Sequence, residues 1–198
     1  MSVLASARPD PVLLVEEHLA KLPKGAAGRG HFFQGTLGYV RKFAPDVDLA
    51  RSAGLADTRY VGFTLYPYAD FVRLAVAGAR VVKPASTAEG LRELGAHAYD
   101  TLLESQFGRV ILGAFGKNFD HVVMAGARAY AVSLNFGKIE VQRVATGHVR
   151  YEFREMPAFL ETFQRGAFEG GMKACGVEGE VAVTSKDVAN ATFDIRWR

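Results

Sequence analysis

The sequence predicts an α+β fold, with helices packed on one face of a small antiparallel sheet built from two C-terminal hairpins. Three observations carry this. After Gly137 the apolar period changes from about 3.6 to 2, the mark of strands. Alternating segments then come in two pairs, one before and one after residues 156–175. The stretch between the pairs has helical spacing and length, yet it holds Gly166, Gly170 and Gly171. Helices first, then hairpin, helix, hairpin, is the order of helices segregated to one face of an antiparallel sheet.

Length and composition agree. A chain of 198 residues, 49% hydrophobic and 23% charged, suits one globular domain with a terminal extension. Folding at this size buries roughly 70% of the unfolded surface, so neither a disulfide nor a structural metal is required. The 24 basic and 21 acidic residues give a net charge of +3 and are spread evenly, unlike the clustered Lys and Arg of a nucleic-acid footprint. The single Cys175 excludes an internal disulfide and a cysteine-rich zinc site. There is no basic start with a long apolar core, as a secretory signal needs, and no apolar run of about 18 residues to span a bilayer. A cytoplasmic protein without a metal or cofactor is expected.

Residues 1–30 read as an appendage: a loose tail over 1–10, a helix over 11–22 opened by Asp10 and Pro11, and a glycine-rich joint over 23–30. The main domain is expected over 31–198. Its first helix spans 31–45 with Phe32, Leu37, Val40 and Phe43 inward, and Pro45 ends it. A short helical turn follows over 46–53. Another helix spans 66–82, with Pro67 in its first turn and Phe71, Leu74, Ala75, Gly78 and Val82 along one stripe. Ser86 and Glu89 form a capping box for a helix to about Ser105, with Leu91, Leu94, Ala98 and Leu102 inward. Residues 108–130 read as one or two helices broken near Gly116.

In the strands over 138–144 and 149–153, Val149, Tyr151 and Phe153 face one way while Arg150, Glu152 and Arg154 face the other. A helix from Met156 to Cys175 follows, with Pro157 in its first turn and Gly176 past its end. A second hairpin, 180–184 and 191–197, closes the chain. On the glycine-bearing helix, Phe159, Phe163, Gly166 or Ala167, Gly170 and Ala174 fall on one face, large residues before tiny ones. Gly166, Gly170 and Ala174 therefore read as a packing or interface face where another backbone approaches closely. Packing of this face on the sheet is the first expectation, with an adjacent helix or a second subunit as alternatives.

The runs YPYADFVRL, AEGLRELGAHAYDTLLESQFGR, LNFGKIEV, PAFLETFQRGAFEGGMKACG and TFDIRW, in that order, resemble an uncharacterised, heavily duplicated myxobacterial family of small single-domain proteins. The resemblance covers residues 30–197. More distantly, the C-terminal part is similar to the haem nitric-oxide/oxygen-binding (H-NOX) fold and to the related vinyl-4-reductase-type and vesicle-tethering (TRAPP-like) domains. That likeness implies a hydrophobic pocket between helices and sheet, which in relatives holds haem, a small effector or an acyl chain, and it implies a tendency to dimerise. The haem-binding relatives carry an axial histidine on a helix, followed by Y-x-S-x-R on a strand. The nearest positions here are His121 and the run from Tyr151, where Phe153 replaces the serine and Arg154 falls one residue early. Without that polar cluster the haem propionates lose their partners.

Tyr66, Tyr68, His97 and Tyr151 are the candidate ligand-binding residues, and His121 is the axial candidate if haem binds. Tyr66 and Tyr68 otherwise anchor a turn, and His97 otherwise serves structure or surface, because a lone histidine is weak grounds for a site. Asn135 suits a junction that bonds backbone. Cys175, near a helix C-terminus, reads as an inert thiol. The glycines of GRGHFFQG and GAFGKN lack a phosphate-loop lysine and read as loops or caps. No acid–base–nucleophile set or metal-ligand pair stands out, so no enzyme is expected. The first reading is a non-enzymatic sensory or adaptor domain with an apolar small-ligand pocket and a protein partner. The alternatives are an interaction or scaffold module, as a homodimer with a filled core, and a haem or gas sensor. A cavity of roughly 300 Å³ or more would favour the ligand binder, and solid packing the scaffold.

Overall fold

In a computed structural model, residues 15–56, 59–104 and 118–198 are described. The tail over 1–10, the break near Gly116 and the side chain of Leu102 lie outside the described residues. In chain order the elements are α1 (Val15–Lys21), β1 (Ala27–Arg29), α2 (Gly30–Val40), α3 (Leu49–Ser52), β2 (Leu65–Pro67), α4 (Tyr68–Val82) and α5 (Thr87–Glu104). Then come α6 (Phe119–Ser133), β3 (Lys138–Ala145), β4 (His148–Arg154), a π-helical turn (Leu160–Gln164), α7 (Arg165–Cys175), β5 (Gly179–Asp187) and β6 (Asn190–Trp197).

The two C-terminal hairpins join into one antiparallel sheet of order β3-β4-β6-β5. Tyr151 stands opposite Phe193 and Val149 opposite Ile195 across the central pair. All four are completely buried, as the period-2 alternation requires when one face meets the helices. The other face is charged: Asp194 takes both His148 at 2.9 Å and Arg150 at 3.0 Å, and Arg154 reaches Glu140 at 3.1 Å. The stripe on α4 is also as expected, with Phe71, Leu74, Ala75 and Val82 in the core.

Several local expectations are corrected. Phe43 lies 52% exposed, and Phe33 rather than Phe32 is the fully buried aromatic of α2. The helix there stops at Val40, short of Pro45. A two-stranded sheet, with Gly28 opposite Tyr66, is a feature the sequence does not announce. Its three-residue strands are too short to show a period. Residues 15–29 are knit into the body, since β1 pairs with β2 and His18 is buried with its ring 4.3 Å from that of Phe159. The glycine-bearing helix does not start at Met156. The Met156 amide donates to the Ala189 carbonyl at 2.8 Å, which holds the chain on the sheet through Pro157. Phe159 then turns with φ of +53°, and the helix opens on a π turn.

The glycine face packs on the neighbouring helix α5, not on the sheet. A Cβ on Gly166 would stand 2.0 Å from the Arg92 carbonyl oxygen, and one on Gly170 would stand 2.0 Å from that of Ala96. The arrangement is reciprocal, because a Cβ on Gly95 of α5 would stand 1.9 Å from the Phe163 carbonyl oxygen. The two backbones thus touch along about two turns, where any side chain would force them apart. Arg92 and Glu169 bridge the helices beside this seam with bonds of 2.6 and 2.7 Å, and Arg165, on the same helix as Glu169, donates to it at 3.0 Å. Ala174, at the end of the face, is half-buried.

Gly170→Leu and Gly95→Ala should each lower stability in urea denaturation by about 1–3 kcal/mol or more, the range for overpacked cores. Gly38→Ala, where an added Cβ meets no atom within 4 Å, should instead stabilise α2 by up to about 1 kcal/mol.

Candidate functional site

Between α2, α5, α6, α7 and β4 lies a cavity of about 140 Å³. Its origin is a concentration of small residues on facing elements. Gly35 comes from α2, Ala98 from α5, Gly126 and Ala129 from α6, and Ala167 and Gly171 from α7. Rings surround the gap these leave: Phe32, Tyr99, Phe119, Tyr130, Tyr151 and Phe163. Where glycine and alanine face one another across aromatic walls, the side chains do not reach far enough to interdigitate, and a void remains.

Two tyrosine hydroxyls on the wall are turned to protein partners. Tyr151 Oη donates to the Val123 carbonyl of α6, and a Cβ on Gly126 would stand 2.5 Å from that same oxygen. Gly126 therefore makes room for the tyrosine to cross from the sheet to the helix backbone. Tyr130 Oη donates to Gln164 Oε1 in the π turn, and Gln164 Nε2 donates to the Ala158 carbonyl at 3.4 Å. Burial raises the pKa of both phenols, so they stay neutral. Burial pushes the His31 imidazole, also on the wall, down to about 4. It is uncharged at neutral pH. Among the described lining residues there is no Asp, Glu, Lys or Arg.

The position of α6 decides the shape of this cavity, and its two ends are clamped. Asp120 takes both guanidinium nitrogens of Arg143 from β3 at 2.5 and 2.6 Å. At the other end Arg29 donates to the Val132 carbonyl at 2.5 Å and to the Phe63 carbonyl. Asn135, just beyond α6, accepts from the Ala27 amide at 2.7 Å and donates to the Gly25 carbonyl at 3.0 Å. It bonds backbone, as expected of a junction asparagine, but the backbone of the distant β1 region.

Of the four candidate ligand residues, Tyr151 alone is brought to the cavity wall. Tyr66 accepts from the Val61 amide at 2.9 Å, and Tyr68 is buried with its ring 4.8 Å from Phe136. His97 stacks on Tyr39 with ring centres 4.0 Å apart and lies 3.2 Å from Asp100. His121 is exposed at the start of α6, where its amide is capped by Asn118. The wall also holds His31, Tyr99, Gly126, Tyr130 and Phe163, which no sequence motif marks as cavity residues. The spacing of Val122, Gly126, Ala129 and Ser133 on one helical face was the available signal. Among the described residues no group of three or more His, Cys, Asp or Glu could hold a metal, and no helix is long and apolar enough to cross a membrane.

A family profile described as a protein of unknown function (DUF2378) matches residues 24–198. No curated protein matches the chain. Among solved structures, the chain is similar to an H-NOX protein from S. oneidensis in its Fe(II)NO state, at 11% identity and a TM-score of 0.68, covering 86% of this chain and 99% of that one. An oxygen-binding H-NOX domain related to soluble guanylate cyclases matches at 16% identity and a TM-score of 0.67, covering 86% and 95%. The unliganded Fe(II) H-NOX protein from K. algicida matches at 13% identity and a TM-score of 0.63, covering 86% and 96%. The expected H-NOX-like α+β fold is thereby shown.

The described residues do not fit haem. His121 is exposed and takes no part in the wall, and the Tyr151 hydroxyl is taken by α6. Phe153 is buried among aromatics, and Arg154 sits on the opposite face of the sheet with Glu140 and Glu152. Two propionates would find no cation on the described wall, and a tetrapyrrole is several times larger than benzene, the kind of guest that a void of about 150 Å³ accommodates.

Gly126→Ala should destabilise the protein, whereas in a Tyr151→Phe background it should be nearly neutral, since the next ring atom lies 3.5 Å away. A double-mutant cycle in urea should read a coupling of about 1 kcal/mol or more. For His31, whose folded pKa of about 4 lies below its ordinary value of 6.5, the unfolded chain binds the extra proton. Stability should therefore fall as pH drops from about 6.5 to 4, and His31→Gln should flatten that slope in pH-dependent melts.

Proposed function

The chain belongs to the DUF2378 family, and from that premise we propose a non-enzymatic sensory or adaptor domain that takes a small apolar molecule and signals to a protein partner. The observation that carries this reading is the cavity of about 140 Å³, walled by the sheet and four helices, whose described lining carries no Asp, Glu, Lys or Arg. It falls between the two expected outcomes, below the roughly 300 Å³ that would favour a ligand pocket yet not solid packing, and so supports only a guest of a few heavy atoms. Its walls belong to elements from both halves of the domain, so occupancy bears on their relative packing. The partner half of the reading is supported by Val61, Phe63 and Leu65, which stand 61%, 51% and 48% exposed along one short stretch.

Xenon is the smallest suitable probe. Xenon-saturated solution should shift the methyl resonances of Val122, Val123 and Ala167 selectively in NMR spectra. Haem added to the same protein should give no Soret band. Silent methyls would favour the filled-core interaction module, and a Soret band would restore the haem reading.

A further inference from the structure

We infer that the guest of this cavity is a neutral single-ring aromatic molecule, between benzene and phenol in size. The inference rests on the small-ligand reading above and narrows it to a chemical class. Size comes first. A dry apolar void of about 150 Å³ is known to take benzene, and this one measures about 140 Å³.

The wall supplies the shape preference. Phe32 comes from α2, Tyr99 from α5, Phe119 and Tyr130 from α6, Tyr151 from β4, and Phe163 from the π turn. Rings arriving from five directions offer a guest ring both faces and edges, the arrangement that aromatic pairs favour. A linear chain of equal volume gains none of that geometry and loses more rotational freedom on being confined.

Charge is excluded by the same wall. No acidic or basic side chain lines the described cavity, and His31 is held neutral by its burial. An ionised guest would shed its hydration with nothing to replace it. A single polar atom is tolerated, however. The Tyr99 hydroxyl on this wall is buried next to the Cys175 thiol, a weak hydrogen-bonding partner, and remains suited to a ring hydroxyl.

The test titrates the full chain with benzene, phenol, hexane and benzoate, following the Val122, Val123 and Ala167 methyl resonances and the melting temperature. Benzene and phenol should bind saturably and raise Tm. Hexane should bind about tenfold more weakly or less, and benzoate should have no effect. Gly171→Ala places a methyl about 3.5 Å from Phe119 and Tyr99, an ordinary contact that leaves the fold intact while shrinking the void. It should weaken phenol several-fold. Hexane binding as well as benzene would overturn the aromatic assignment while leaving the small-ligand reading standing. Benzoate binding would overturn the neutral assignment in the same way. If xenon and every organic probe are silent, both readings fall together.

Discussion

The structure depends on the contact of two helix backbones without side chains between them. Gly95 on α5 and Gly166 and Gly170 on α7 let main-chain carbonyls approach where a Cβ would stand about 2 Å from oxygen. Each interior glycine costs roughly 1 kcal/mol in helix propensity, so three of them are tolerable only where close approach returns more. That return is packing. The helices share a long seam, flanked by the Arg92–Glu169–Arg165 cluster.

One side of the cavity is placed by that seam. The Gly95 contact is made with Phe163, so the π turn is set against α5 and the Phe163 ring is aimed at the void. The turn in turn holds Gln164, which receives the Tyr130 hydroxyl of α6. On the other side Tyr151 spans from sheet to helix through the gap at Gly126. The void is therefore bounded by groups fixed through hydrogen bonds and backbone contact. Its walls do not collapse inward, because the residues that would fill it are glycine and alanine.

Much of this architecture was legible in the sequence, for reasons that particular residues make plain. Tyr151, Phe153, Phe193 and Ile195 alternate with charges, and a one-residue slip would have turned them all to water. The small-residue face on α7 was visible in its spacing, though nothing in one helix could say whether its partner was sheet or helix. Gly95 sits within a helix whose apolar stripe is the stronger pattern, so its backbone contact has no local signature. The cavity was harder to read because it is made by absences: small residues on four elements that meet only after folding. His97 and Tyr68 looked promising as isolated polar or aromatic residues, yet local stacking on Tyr39 and Phe136 uses them. The π turn was invisible, since the chain leading into it is held by a bond from Met156 to Ala189, 33 positions along.

One consequence of the clamps on α6 concerns motion rather than equilibrium. That helix is pinned by Arg143 near its start, by Tyr151 in its middle and by Arg29 near its end. Swinging it aside would break charge-assisted bonds at both extremities and a buried one between them. Under the proposed reading, therefore, changes in the cavity's shape fall to local ring and rotamer motion of its wall rather than to displacement of this helix.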